Sequence, residues 1–294
     1  MTFDNSAWQQ PSLADLSQLD SNLAEKGVPA LKRPHEAAKL WGEKFGSPFF
    51  GLPHEQGFRE AFEKLHPSVP FGSDAFLTLC VSARSISYFL KPPIVLGRIR
   101  IEPLQFVSIT EMERNRIRQD HPAAFWEMVW QASDGIDLFM AQMNYQPQHS
   151  DAQNMMATAV NQLTASARQL VACEVDLSLP QGIVLACELA GKSILRYTGV
   201  SEKELRDVGH DLVLLSEKIA ENIKSPVDEE VLAVAKSMPK YVQVRYDAPK
   251  MNIADAQDIF RRGMFLIADF IRRTNHDCIY WKMINDKNIL AREW

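Results

Sequence analysis

The chain has 294 residues, 46% of them hydrophobic and 23% charged, which is the composition of an ordinary globular protein with the length for two domains. Its formal net charge is −5, and neither half is basic. Residues 1–144 hold 14 Lys and Arg against 17 Asp and Glu, and residues 145–294 hold 18 against 20. This balance excludes a chain-wide basic surface for nucleic acid, so a nucleic-acid site has to be local.

The sequence predicts a cytoplasmic protein that does not enter the membrane. The first residues, MTFDNSAWQQ, lack the basic and apolar regions of a signal peptide, and no window of about 18 apolar residues predicts a membrane span. The four cysteines lie far apart without a Cys-x-x-Cys pair, which favours reduced thiols. Neither histidine nor cysteine spacing is typical of a metal site, and we expect no metal and no cofactor.

Residues 1–144 predict an α+β domain with a small sheet. Short amphipathic helices are indicated after Pro34 and over Gly57–Leu65. The stretch Ala75–Ile109 is rich in β-branched and aromatic residues and predicts three or four strands. Within it Arg98 and Arg100 alternate with isoleucines, which places both on one strand face, either as a solvated surface or as an anion contact.

Two further helices complete this first domain. Thr110 and Glu113 have the spacing of a capping box, and another helix follows His121-Pro122. The polar tract Asn144–Ser150 then predicts a linker, so we place the domain boundary between residues 144 and 145.

Residues 145–294 predict a helical bundle, which makes the whole chain mainly α. Apolar residues recur at helical spacing over Asp151–Cys173 and from Pro180 to a stop at Gly199. Further helix starts are indicated by Ser201-x-x-Glu204, by His210-Asp211 after Gly209, by Asp228-Glu229-Glu230 and by Asn252-x-x-Asp255, the last opening a long helix to about Arg273.

The order of motifs in this half resembles the HEPN family. A long first helix is followed by one carrying Glu188-Leu189-Ala190-Gly191-Lys192, then by a Gly-Val-Ser-Glu-Lys-Glu-Leu connector, a Gly209-His210-Asp211-Leu212 step and an Arg245-Tyr246 pair. The resemblance covers about residues 151–273. It implies a compact bundle of about five helices that pairs as a homodimer and binds a nucleotide or RNA.

The resemblance also implies where such a ligand binds. Glu188, Lys192, His210, Asp211, Arg245 and Tyr246 would line one polar cleft, with Lys192 and Arg245 holding phosphate. Simpler alternatives stay open: Glu188 and Lys192 form an ordinary ion pair one helical turn apart, and His210-Asp211 merely starts a helix. The cleft requires Lys192, His210 and Arg245 to converge within about one ligand's width, and finding them dispersed or buried in ion pairs would exclude it. Gly191 in mid-helix predicts close approach of another helix.

Ribonucleases of the family carry an arginine followed by histidine after four to six intervening residues. Histidine transfers protons near neutral pH and arginine stabilises the phosphate. Only three residues lie between Arg206 and His210. Six residues lie between Arg114 and His121, and four lie between Arg116 and His121. His121 lies outside the HEPN-like region, so these five residues are weak catalytic candidates. Whether the chain is an enzyme stays open.

The leading hypothesis is therefore a prokaryotic HEPN-like protein that binds a nucleotide or RNA, in a stress, toxin–antitoxin or phage-defence setting. One alternative is a non-catalytic module that dimerises or docks a partner. A second alternative is a metal-independent ribonuclease.

Overall fold

The computed structural model describes residues 11–30, 33–44, 52–67, 77–92, 101–241, 251–275, 278–287, 289–292 and 294. These residues are mainly helical and include a small two-stranded sheet, which confirms the predicted fold class. The chain divides into two compact units, residues 1–76 and residues 77–294. No helix in the described ranges is long and apolar enough to cross a bilayer.

Unit 1 contains the helices α1 (Leu13–Glu25), α2 (Arg33–Lys44) and α3 (Leu52–Leu65). Their apolar faces meet in one core, and the buried side chains are Leu16, Leu23, Ala37, Ala38, Trp41, Phe58 and Phe62. Asp20, within α1, accepts from Arg33 Nη1 at the start of α2 at 3.2 Å and lies 3.0 Å from Nε2 of His66, which follows α3. The two helices predicted in this region are therefore present.

Unit 2 begins with a hairpin of β1 (Leu79–Ala83) and β2 (Ile86–Leu90), in which Leu79 pairs with Leu90. The Gln131 side-chain amide bonds both backbone groups of Ser82, at 2.8 and 3.0 Å, and so occupies part of an edge of β1. Val107 makes a single bridge to Leu90. The predicted strand with Arg98 and Arg100 lies outside the described residues.

A short 3-10 turn, Pro103–Phe106, precedes the helices of unit 2. In chain order these are α4 (Glu111–Asp120), α5 (Pro122–Asn144), α6 (Ser150–Val171), α7 (Ser178–Tyr197), α8 (Glu202–Val208), α9 (Leu212–Asn222), α10 (Asp228–Ser237), α11 (Ile253–Arg272) and α12 (Ile279–Met283). Helix α7 packs against α6, α9 and α11, and α5 packs against α11 and β1. The core therefore runs through α5, α7 and α11.

Local sequence signals set the helix boundaries. Ser201 and Glu204 form a reciprocal capping box at the start of α8, and Asn252 caps α11 by accepting from Asp255 N at 2.9 Å. The chain leaves α7 and α8 at Gly199 and Gly209, whose φ angles of 91° and 61° are left-handed and favour glycine.

The predicted boundary after Asn144 lies inside unit 2, and the structure places the division after Phe76 instead. Helix α5 is buried over most of its length and packs against α11, which belongs to the other predicted domain. Tyr145 is buried too, and its hydroxyl donates to the carbonyl of Ser193 at 3.0 Å. The polar tract is therefore a loop between two packed helices.

Glycine permits the closest helix contacts in unit 2. A Cβ added to Gly191 would lie 2.4 Å from Leu215 Cδ2 and 3.2 Å from Phe270 Cε2, because α9 and α11 both approach α7 there. The close approach predicted from the sequence at Gly191 is thus confirmed.

A fully buried ion cluster joins α11 to α5. Arg272 on α11 donates to Asp134 Oδ1 at 2.6 Å and to Asp137 Oδ2 at 2.9 Å, both on α5. Asp137 also accepts from the backbone N–H groups of Ile279 and Tyr280, at 2.7 and 3.0 Å. Burial raises the pKa of Asp137 above its ordinary value, although Arg272 acts in the opposite direction.

We expect Gly191→Ala to lower the free energy of unfolding by about 1–3 kcal/mol, because the added methyl overlaps Leu215. Chemical denaturation measures this change. Gly182→Ala is the control on the same helix, since its nearest neighbour is the Ser166 hydroxyl at 3.2 Å, and it gains the same helix propensity. Equal stabilities for the two variants would contradict the close contact.

We expect Arg272→Met to lower the free energy of unfolding by about 3–5 kcal/mol, because it leaves the buried carboxylate of Asp137 without its arginine, while Asp134 keeps its ion pair with Arg292. Arg206→Met removes an arginine from an exposed pair with Glu202, whose side chains are 74% and 71% exposed, and should change stability little. A similar loss of unfolding free energy in both variants would contradict the idea that burial makes the Arg272 cluster sensitive to substitution.

Candidate functional site

The candidate site begins with a buried carboxylate on α7. Glu188 is 4% exposed, and its Oε1 accepts from the Lys192 ammonium at 2.6 Å. The two side chains share a helix face because they are one turn apart, as the sequence predicts. An unpaired carboxylate at this depth would lose several kcal/mol of hydration, so Glu188 requires its partners.

His210 is the second partner of the same carboxylate. Its Nδ1 lies 2.7 Å from Glu188 Oε2, in the turn that Gly209 opens between α8 and α9. An ionised carboxylate only accepts hydrogen bonds, so Nδ1 carries the proton that it donates to Glu188. The His210 side chain is 57% exposed, and we infer that Nε2 is the ring nitrogen left for a ligand.

Asp211 starts α9 and has a local structural role. Its Oδ1 accepts from the backbone N–H groups of Val213 at 2.9 Å and Leu214 at 3.1 Å. This is an ordinary N-cap, which satisfies two donors at the start of the helix. The helix-start alternative therefore holds for Asp211, while His210 beside it contacts Glu188 instead.

A pocket of about 610 Å³ lies between the start of α9 and the residues that follow α10. Leu212, Ala235 and Met238 give it buried apolar lining. His210 and Tyr241 stand beside this lining and stack on each other, with ring centroids 5.0 Å apart and an interplanar angle of 23°. The hydrogen bond between His210 and Glu188 orients the histidine ring of this aromatic stack.

Two exposed lysines supply positive charge at this pocket. Lys236 and Lys240 both line it, and neither makes an ion pair with any residue the structure describes. Asp211 is the acidic group of the lining, and its Oδ1 is bonded to the α9 backbone. Two cations, a histidine nitrogen and an aromatic stack therefore meet an apolar surface, a combination suited to an anionic ligand with a flat ring.

The structure brings together three of the six predicted ligand-binding residues, namely Glu188, Lys192 and His210. Their arrangement differs from the predicted cleft, because Glu188 and Lys192 are absent from the pocket lining and Lys192 is paired with Glu188. Lys192 thus supports the carboxylate that holds His210. Arg245 and Tyr246 lie outside the described residues.

No hydrogen bond or ion pair among the described residues joins the arginine candidates or His121 to the His210 side chain. His121 joins α4 to α5, where its N–H donates to the Ile117 carbonyl at 2.9 Å and its side chain is half-buried. Within the described ranges, no hydrogen bond joins it to Arg114 or Arg116. Arg206 pairs with Glu202 at 3.0 Å on the surface of α8.

Sequence reasoning missed Tyr241, Lys236 and Lys240. The signal available was the short run Lys236-Ser237-Met238-Pro239-Lys240-Tyr241. It places two lysines and a tyrosine around the proline that follows α10. Nothing in this run points to His210, about thirty residues earlier, because their contact depends on how α9 and α10 pack.

Metal binding finds no support in the described ranges, where no group of three His, Cys, Asp or Glu side chains is placed to hold an ion. No protein-family model matches the chain, and neither a curated protein nor a solved structure matches it. The chemistry of the site therefore has to be argued from its own residues.

A double-mutant cycle tests the shared carboxylate. We expect Glu188→Gln and Lys192→Met to show a coupling energy of about 1–2 kcal/mol in the free energy of unfolding, because their pair is largely buried. The exposed i,i+4 pair Glu202–Arg206 is the control and should give about 0.3–0.5 kcal/mol. Equal coupling in both pairs would contradict the structural role of Glu188.

Proposed function

We propose that this chain binds a nucleotide or RNA through the pocket between α9 and α10. The observation that carries the proposal is the His210–Tyr241 stack, which is bonded to the buried Glu188 carboxylate and shares its pocket with two lysines. Neither lysine pairs with an acidic residue that the structure describes. A nucleotide offers the matching groups, a flat base and a phosphate. The proposal also takes support from the resemblance to HEPN domains over residues 151–273.

Each part of the ligand has a partner in this pocket. Phosphate oxygens would bind the ammonium groups of Lys236 and Lys240, which make no ion pair within the described part of the chain. The base would pack on Tyr241 and His210 and against the apolar lining, because base–aromatic stacking needs a π surface and no particular sequence. His210 Nε2 would accept a hydrogen bond from the base or ribose.

The wider setting follows from the same resemblance. We propose a homodimer in the cytoplasm of a prokaryote, acting in stress response, a toxin–antitoxin pair or phage defence. Binding without cleavage is the form that the site favours, because no arginine lies beside His210 in the described lining of the pocket.

The proposal is tested by fluorescence anisotropy with labelled single-stranded RNA, and by competition with ATP. We expect Tyr241→Ala and the double variant Lys236→Ala/Lys240→Ala each to weaken binding by about tenfold or more, since each loses an aromatic or charged contact worth at least about 1.4 kcal/mol. The double variant Lys203→Ala/Lys224→Ala, at two exposed lysines outside the pocket lining, is the charge-matched control for the lysine pair and should bind like the wild type.

Three outcomes would redirect the interpretation. Absence of RNA and ATP binding by the folded wild type would favour the alternative of a module that dimerises or docks a partner. Binding that the pocket variants retain would place the ligand elsewhere. Cleavage of the RNA in EDTA, lost in His210→Ala or His121→Ala, would favour the metal-independent ribonuclease and identify its histidine.

A further inference from the structure

A second surface of unit 2 lies at the tip of the hairpin. Arg84 and Ser85 form its two-residue turn, and both have left-handed φ angles, 52° and 63°. Asparagine and glycine are the residues that such turns favour, because other side chains are strained there. An exposed arginine in this position therefore sacrifices some stability, and this suggests that its charge has another use.

Arg116, on α4, is the second exposed arginine of this surface. The Tyr88 hydroxyl donates to Glu113 Oε1 at 2.6 Å and so joins the hairpin to α4. Burial and then this hydrogen bond raise the pKa of Tyr88 above its ordinary value, whereas the charges of Arg116 and Arg84, both near its phenol, lower it. Both arginines are exposed, and neither forms an ion pair with a described residue.

Exposed apolar side chains accompany the two arginines. Met112 is 82% exposed and lies one helical turn before Arg116, on the same face of α4. Ile86 is 48% exposed and shares a face of the hairpin with Tyr88. Arginine and methionine are enriched where proteins contact one another. Here the two arginines have no ion pair with a described residue, and one carboxylate, that of Glu113, lies at the same phenol.

We propose that the hairpin–helix surface, defined by Arg84, Ile86, Met112 and Arg116, binds a segment of a partner protein that carries carboxylates around an apolar side chain. The arginines would each bind a carboxylate through their planar guanidinium groups, and the apolar side chain would pack between Met112 and Ile86. RNA fits this surface less well, because none of the four residues that define the surface is aromatic and the neighbouring Tyr88 is 8% exposed.

A phage-displayed library of random dodecapeptides, selected on the full chain, tests the proposal. We expect acidic peptides with a central apolar residue to be enriched, and their affinity to fall as salt concentration rises. Arg84→Asn and Arg116→Ala should each weaken binding about tenfold, and Met112→Ala by a smaller factor. Arg206→Ala, at an exposed arginine on α8, is the matched control.

Arg84→Asn separates recognition from folding, because asparagine suits the left-handed turn better than arginine does. The melting temperature should stay the same or rise while peptide affinity falls. Enrichment of peptides without acidic residues, or affinity unchanged in Arg84→Asn and Arg116→Ala, would overturn the proposal. A labelled oligouridylate that loses affinity in both variants, with no peptide enriched, would make the surface a nucleic-acid site.

The hairpin–helix surface and the α9–α10 pocket are tested independently. Tyr241→Ala should leave peptide binding intact, and Arg84→Asn should leave nucleotide binding intact, because the two sets of residues share no side chain. Failure of one proposal therefore does not decide the other.

Discussion

The arrangement of the candidate site depends on one buried carboxylate. Glu188 lies on the part of α7 that faces the bundle, so its charge has to be compensated locally. Lys192 donates to it from the same helix, and His210 donates to it from the turn between α8 and α9. The Glu188–Lys192 ion pair argues against a phosphate-binding role for Lys192. The same carboxylate bonds His210, which lines the pocket.

The Arg272 cluster uses the same physics over a longer distance along the chain. Asp134 and Asp137 are buried on α5, and Arg272 reaches both from α11. Desolvation makes such a cluster a weak source of net stability, yet removing one member is expensive. The contacts require α5 to face α11, and both helices belong to unit 2, which spans the predicted boundary.

The sequence predicts what is decided within about four residues and misses what is decided by packing. Helix caps such as Ser201 and Asn252 are visible because donor and acceptor lie three residues apart. The Glu188–Lys192 pair is visible for the same reason. The contact from Glu188 to His210 spans 22 residues, and the Tyr241 stack depends on it. The predicted boundary after Asn144 differs from the division after Phe76, because a polar loop between packed helices has the same composition as a linker.

The same geometry bears on binding versus catalysis. Because Nδ1 of His210 bonds Glu188, its Nε2 is the nitrogen left for a ligand in the pocket. A carboxylate bonded to one ring nitrogen is also the arrangement that orients many acid–base histidines. Cleavage of a phosphodiester also needs a cation that follows the developing charge on the phosphate. The lysines of the pocket are exposed on flexible stems, and a planar guanidinium is absent from the described lining. Such a site is suited to a charged ligand that binds through attraction and stacking, so the proposed binding follows from the described residues more directly than cleavage does.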